Sequence, residues 1–137
     1  MTYTFLEHTA DVKFLAEANS LEEVFIESAN ALKESICGKI IVLEQIKKEI
    51  EIKGSNIESL LYNFLEEFIV LLETEDFLIS KIESLSIDRK HFIIKTTISG
   101  DKTDNYKFTN DVKAITYNDM FVKEENGIWK AQVVLDV

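Results

Sequence analysis

The residues that could do chemistry stand at the two ends of the chain. Near its start, the polar corner "EHTAD" contains His8 and Asp11, and its end, "VLDV", places Asp136 beside the terminal carboxylate of Val137. Oxygen donors of this kind suit hard divalent cations, so Asp11, Asp136 and the Val137 carboxylate would together favour calcium, magnesium or manganese over zinc. For His8, a hydrogen bond to the backbone of its own corner is a simpler role than metal ligation.

Bringing these acids together has a large electrostatic cost. Two unit charges about 5 Å apart repel by roughly 3 kcal/mol at an effective dielectric of about 20. Three such pairs approach ~10 kcal/mol, which is of the order of the whole stability of a small domain. A convergent cluster must therefore hold a cation, take up a proton or recruit a lysine. The alternative is that Asp136 is an ordinary solvated acid, because aspartate is mostly exposed in folded proteins.

Other catalytic motifs are missing from the sequence. It contains no glycine-rich phosphate loop, no paired CxxC, no HExxH and no Gly-x-Ser-x-Gly elbow. His8 and His91 are too few for a histidine-built zinc site, and Cys37, late in an apolar helical pattern, is expected to be a buried, inert thiol. A small metal-dependent hydrolase is disfavoured because no base or nucleophile accompanies the acids, apart from His8.

Composition limits the class of protein. The 137 residues, with 46% hydrophobic and 29% charged, predict a single globular domain over 1–137. The net charge of -10 disfavours autonomous nucleic-acid binding and favours a basic protein surface or a metal cation as the partner. No apolar run is long enough for a membrane span, and the start lacks the features of a signal peptide. A single cysteine fits a reducing cytoplasm.

The hydrophobic pattern predicts the elements that must position these residues. The capping pairs Ser20 with Glu23 and Ser55 with Glu58 predict the starts of two amphipathic helices, and Gly38 the end of the first. Alternating apolar residues predict strands over 2–7, 12–18, 47–53, 77–87, 92–99, 112–123 and 128–137. Hairpin connections dominate, so we expect an α+β domain with largely antiparallel sheet and two helices packed on it.

The last strand decides whether the acids can meet. Its alternation places Asp136 on the mixed face with Gln132 and Val134, away from the main core. If this strand lies beside the first corner, Asp11, Asp136 and the end of the chain come together, and the termini of single domains often do lie close to each other.

Three motifs resemble those of the archease family. They are "HTADV" at 8–12, "VKAITY" at 112–117 and the terminal "WKAQVVLDV", and their order extends the resemblance over essentially the full length. Two positions depart from the family pattern: Lys13 stands where the family usually has glycine, and Asn118 where it usually has histidine.

The resemblance implies a function that composition does not show. It implies a protein cofactor, not an enzyme, that activates the GTP-dependent RtcB-type RNA ligase of transfer-RNA splicing and RNA repair. Such a cofactor promotes guanylylation of the ligase and multiple turnover through an acidic divalent-metal site. The resemblance carries Asp11, Asp136 and Val137 over as metal ligands, with calcium the ion most expected in a structure and magnesium or manganese as alternatives.

It also carries Lys113 over as a functionally required lysine, which could contact the ligase or balance the acids. The alternative function is a general chaperone or modulator of RNA-modifying enzymes, in which the acids serve only solubility.

Overall fold

A computed structural model describes residues 2–7 and 11–137. Its elements follow the predicted order: β1 (Thr2–Leu6), β2 (Val12–Ala18), α1 (Leu21–Cys37), β3 (Ile46–Lys53), α2 (Ile57–Glu75), β4 (Phe77–Asp88), β5 (Ile93–Lys102), a 3-10 turn (Thr103–Asn105), β6 (Ala114–Glu125) and β7 (Ile128–Asp136). Within these ranges no helix is both long and apolar enough to cross a membrane.

The strands form two antiparallel sheets with the helices between them. One sheet has the order β1-β2-β7-β6 and the other β3-β5-β4. Helix α1 packs against β1, β2 and β7 on one side and against β4 on the other, while α2 packs against β6 and against the three-stranded sheet. The core is therefore continuous through the middle layer, with Phe14, Phe25, Phe64 and Phe77 among its largest fully buried side chains. The predicted α+β class is confirmed.

The first helix begins and ends where the sequence predicts. The side chain of Ser20 accepts a hydrogen bond from the backbone N–H of Glu23 at 3.1 Å, which satisfies one of the unpaired donors of the first turn. At the other end, Gly38 has φ 70, a conformation that favours glycine, and its N–H donates to the carbonyl of Glu34 at 2.8 Å.

The predicted cap of the second helix is wrong by one residue. Asn56 rather than Ser55 is the N-cap: its side chain accepts from the backbone N–H of Ser59 at 2.8 Å, and the Ser59 hydroxyl accepts from the N–H of Asn56 at 3.1 Å. Glu58 consequently lies within the first turn and does not close the box. Serine and asparagine are nearly equal as N-caps, so residue type alone does not separate two adjacent candidates.

Gly100 allows two strands of the smaller sheet to approach closely. A Cβ added there would overlap the carbonyl oxygen of Leu78 and lie 2.6 Å from Cζ of Phe77. We expect Gly100→Ala to lower the free energy of unfolding by about 3 kcal/mol, because the obstructing atoms include backbone. At Gly127, φ is 83 but a Cβ meets nothing within 4 Å, so Gly127→Ala should cost only about 1 kcal/mol. Denaturant unfolding compares the two variants, and a smaller effect at Gly100 would contradict this account.

Candidate functional site

Strand β7, one of the two inner strands of its sheet, brings the last residues of the chain beside the start of β2. It pairs with β2 in antiparallel register from Ala18↔Trp129 to Val12↔Leu135. Asp11 and Asp136 each lie one residue beyond this last pair. Directly opposite residues in an antiparallel pair have Cβ atoms about 4.5–5.5 Å apart, so this register makes Asp11 and Asp136 neighbours. The last strand thus lies beside β2, the strand that follows the first corner, while residues 8–10 of that corner lie outside the described residues.

Lys113 approaches the same strand end from the other side. Strand β6 pairs Ala114 with Asp136, and the backbone N–H of Lys113 donates to the carbonyl of Asp136 at 2.7 Å. Lys113 is exposed. The order across this end of the sheet is therefore Asp11, Asp136 and the start of β6, and the functional role of Lys113 stays a prediction.

The acids occupy the face of the four-stranded sheet that points away from the helices, here called the outer face. Leu135 is fully buried and Val12 partly buried against the core, so their neighbours Asp11 and Asp136 belong to the outer face. Asp136 is exposed and Asp11 half-buried. The side chain of Val137 packs against the core, which anchors the end of the strand.

A large bulge interrupts β6 beside these acids. Thr116 pairs with Val134 and Phe121 with Gln132, so residues 117–120, here called the bulge segment, face a single residue of β7. Within it, Asp119 has φ 53, and its carbonyl accepts a hydrogen bond from Nε2 of Gln132 at 2.8 Å. This bond holds the bulge segment against the neighbouring strand.

Helix α2 fixes the start of the bulge segment. The ring of Tyr117 stacks on the ring of Tyr62, with centroids 4.3 Å apart and planes inclined by 6°. Burial, followed by the negative charge of Glu66, raises the pKa of Tyr62. The Tyr62 hydroxyl therefore stays protonated at neutral pH.

Lys13 links β2 to the bulge segment. Its Nζ lies 3.7 Å from Oδ2 of Asp119, and its side chain is only 19% exposed. Asn118 is exposed in the same segment, so both departures from the family pattern, Lys13 and Asn118, contact or lie within one structural feature. The sequence offered a signal for it: the polar run from Asn118 to Asp119 breaks the alternation of a strand.

The possible metal ligands in the described part of the chain suit a hard cation but are few. Among residues 2–7 and 11–137, no group of three or more histidine, cysteine, aspartate or glutamate side chains could hold a metal ion. The oxygens available at the strand end are those of Asp11 and Asp136, with the terminal carboxylate of Val137 as a third source. His8 lies outside the described residues. An oxygen-only set of this kind fits calcium, magnesium or manganese.

A surface depression lies elsewhere on the described chain. It has a volume of about 550 Å³ and is lined by Glu49, Glu51, Lys95 and neighbouring serines and threonines. These residues belong to β3, β4 and β5, so the helices separate this depression from Asp11 and Asp136. Asp136 is exposed, which suits a site completed by a partner rather than one that encloses a small molecule.

The fold and these two acids define the class of protein. It is an α+β domain in which two antiparallel sheets enclose two helices and one strand end is anionic. The model of the Archease protein family matches residues 3–137. The chain belongs to the archease family. The protein archease of Methanosarcina mazei is 35% identical over 139 residues, covering 98% of this chain and 95% of that protein. The protein archease of Pyrococcus abyssi is 38% identical over 135 residues, covering 96% and 95%.

Solved structures agree with the fold. The solution structure of Methanobacterium thermoautotrophicum protein 1598 is 33% identical, with a TM-score of 0.83, and the match covers 98% of each chain. The crystal structure of a Thermotoga maritima protein, titled an archease and possible chaperone, has a TM-score of 0.70 at 24% identity, covering 96% of this chain and 94% of that one. This second likeness bears on the fold alone.

Proposed function

We propose that this chain is a protein cofactor that activates an RtcB-type RNA ligase in transfer-RNA splicing and RNA repair. It promotes guanylylation of the ligase and multiple turnover, and the ligase carries out the chemistry. Membership of the archease family supports this proposal. The observation that carries it is the β2–β7 register, which makes Asp11 and Asp136 neighbours at one end of the sheet.

In this proposal Asp11, Asp136 and the Val137 carboxylate hold a divalent cation. The bound ion would neutralise negative charge on the phosphates of GTP at the ligase. The protein's own contribution is to hold the anionic oxygens in place before the partner arrives. Leu135 is paired with Val12 of β2, and the carbonyl of Asp136 accepts the hydrogen bond from Lys113, so the backbone at Asp136 needs little ordering on binding.

Charge favours the encounter between the two proteins. The chain carries 25 acidic against 15 basic residues, whereas a surface that binds RNA must be basic. Opposite charges accelerate association, and salt screens this attraction. The same balance argues that the chain binds the ligase and does not bind RNA by itself. The single cysteine fits the proposed location, a reducing cytoplasm.

The direct test uses the ligase of the same organism in limiting amount. Phosphate-ended and hydroxyl-ended RNA halves are supplied in excess with GTP and a divalent metal, and ligated RNA per ligase molecule is measured with and without the chain. We expect product to stop near one per ligase without the chain and to continue well beyond that with it. The stimulation should weaken as salt rises from 50 to ~300 mM. Equal product in both reactions would refute the proposal.

A further inference from the structure

We propose that Lys13 is a fixed counter-charge of the acidic strand end, and that Asp119 positions it. In this role Lys13 sets how tightly Asp11 and Asp136 bind a divalent cation. The inference rests on the metal site of the proposed function, and it assigns a regulatory part to two residues that are not themselves ligands.

The register places Lys13 one step along the outer face from the acids. Lys13 of β2 pairs with Val134 of β7. The next outer-face residue is Asp11 before Lys13 and Asp136 after Val134. Two residues along a strand span about 6.8 Å. The ammonium of Lys13 is thus near enough to act on both carboxylates and on any ion that they hold.

The stem of Lys13 must cross β7. Asp119, to which its ammonium points, belongs to β6, and β6 lies beyond β7 as seen from β2. The stem therefore passes over β7 beside Val134. Val134 is fully buried although it belongs to the outer face and is outside the main core cluster. A lysine stem that covers apolar surface while its charged end reaches a partner explains both observations.

The bulge segment makes Asp119 a defined anchor. Its carbonyl is held by Gln132, and the segment begins at the stacked pair of Tyr117 and Tyr62. Asp119 is itself 60% exposed, so the ion pair adds little stability. Its effect is on position: it draws the ammonium sideways across β7, away from the carboxylates of Asp11 and Asp136.

Two opposite effects follow from this geometry. A unit positive charge about 8 Å from a divalent cation, at a water-like dielectric of about 80, weakens binding by about fivefold. Removing the charge of Lys13 should therefore strengthen binding. Removing the charge of Asp119 should weaken it, because the released ammonium can turn towards the acids and compete with the cation.

Calorimetric titration of the whole chain with calcium tests this inference without the ligase. We expect Lys13→Met, which keeps the stem, to bind calcium about fivefold more tightly than the wild type. Asp119→Asn should bind it a few-fold more weakly, and the double variant should match Lys13→Met. The matched control is Lys123→Met. Lys123 lies on the same face and pairs with Lys130, which is six residues before Asp136 on β7. The calcium affinity of this variant should equal that of the wild type.

The outcomes separate this inference from the proposed function. If the wild type binds calcium and Lys13→Met binds it equally, the counter-charge is refuted while the metal site stands. If Asp119→Asn strengthens binding or leaves it unchanged, the positioning role of Asp119 is refuted. If neither the wild type nor any variant binds calcium or manganese, the metal site fails and the inference fails with it. Thermal unfolding in the absence of metal shows whether Lys13→Met is folded. If it is not, Lys13→Gln takes its place in the titration.

Discussion

Replacing Asp136 with asparagine is expected to reduce affinity for a divalent cation by about 100-fold and to abolish multiple turnover by the ligase. The substitution keeps the shape of the side chain and removes one of the anionic ligands. Loss of a group that merely orients a ligand typically costs 10- to 100-fold in metal affinity, so loss of a ligand should lie at or beyond the upper end. Calcium titration and the limiting-ligase assay measure the two effects.

Asp11→Asn should give the same result, because the register makes Asp11 and Asp136 neighbours. Asp104→Asn is the matched control. Asp104 is an exposed aspartate in the 3-10 turn after β5, which belongs to the other sheet, so the same loss of charge should leave ligation unaffected. Full activation by both Asp11→Asn and Asp136→Asn would end the proposal that these acids form the site.

Extending the chain by two residues after Val137 should lower calcium affinity by at least about tenfold. The extension turns the terminal carboxylate into a neutral peptide group and moves the free carboxylate beyond the strand end. Affinity for hard cations follows the number of charged oxygen ligands, so this loss is expected even though no side chain changes. Activation of the ligase should fall in parallel, because it depends on the same site.

The control for this extension keeps the carboxylate in place. Val137 packs against the core, and Val137→Ile retains both that packing and the free terminus, so its calcium affinity should match that of the wild type. If the extended chain also matches the wild type, Val137 is not a ligand, and the site reduces to Asp11 and Asp136 with groups supplied by the partner.

The helices and hairpins were predictable because their signals are local. Period-3.6 apolar stripes, the serine N-cap at Ser20 and the helix-ending Gly38 each act within a few residues. Asn126 and Gly127 both have positive φ, as the turn between β6 and β7 requires. The class of fold followed from these elements and from the scarcity of long connections.

The arrangement of the strands into sheets was harder to predict from the sequence. Sequence alternation shows which face of a strand is apolar but does not show which strand is its neighbour. The pairing of β2 with β7 joins segments separated by most of the chain, and only the proximity of termini suggested it. The division into two sheets around a helical layer also depends on packing between distant elements, such as α1 against both β2 and β4.

The candidate site was predicted in its ligands but not in its surroundings. Asp11, Asp136 and Val137 came from motifs at the chain ends, and their metal-binding role is still a prediction. The contact between Lys13 and Asp119 could not be foreseen, because it depends on a bulge that gives β6 several extra residues opposite β7. Nothing in a strand's alternation specifies how far such a segment folds over its neighbour.

Strand β7 is one of the two inner strands of its sheet. Before β7 is inserted, the hairpin of β1 and β2 has no partner on one side, and β6 is separated from it. Insertion of β7 closes this gap and at the same moment creates the acidic strand end. On the proposed function, the chain therefore cannot activate the ligase until β7 has been inserted, because the acidic strand end exists only in the folded sheet.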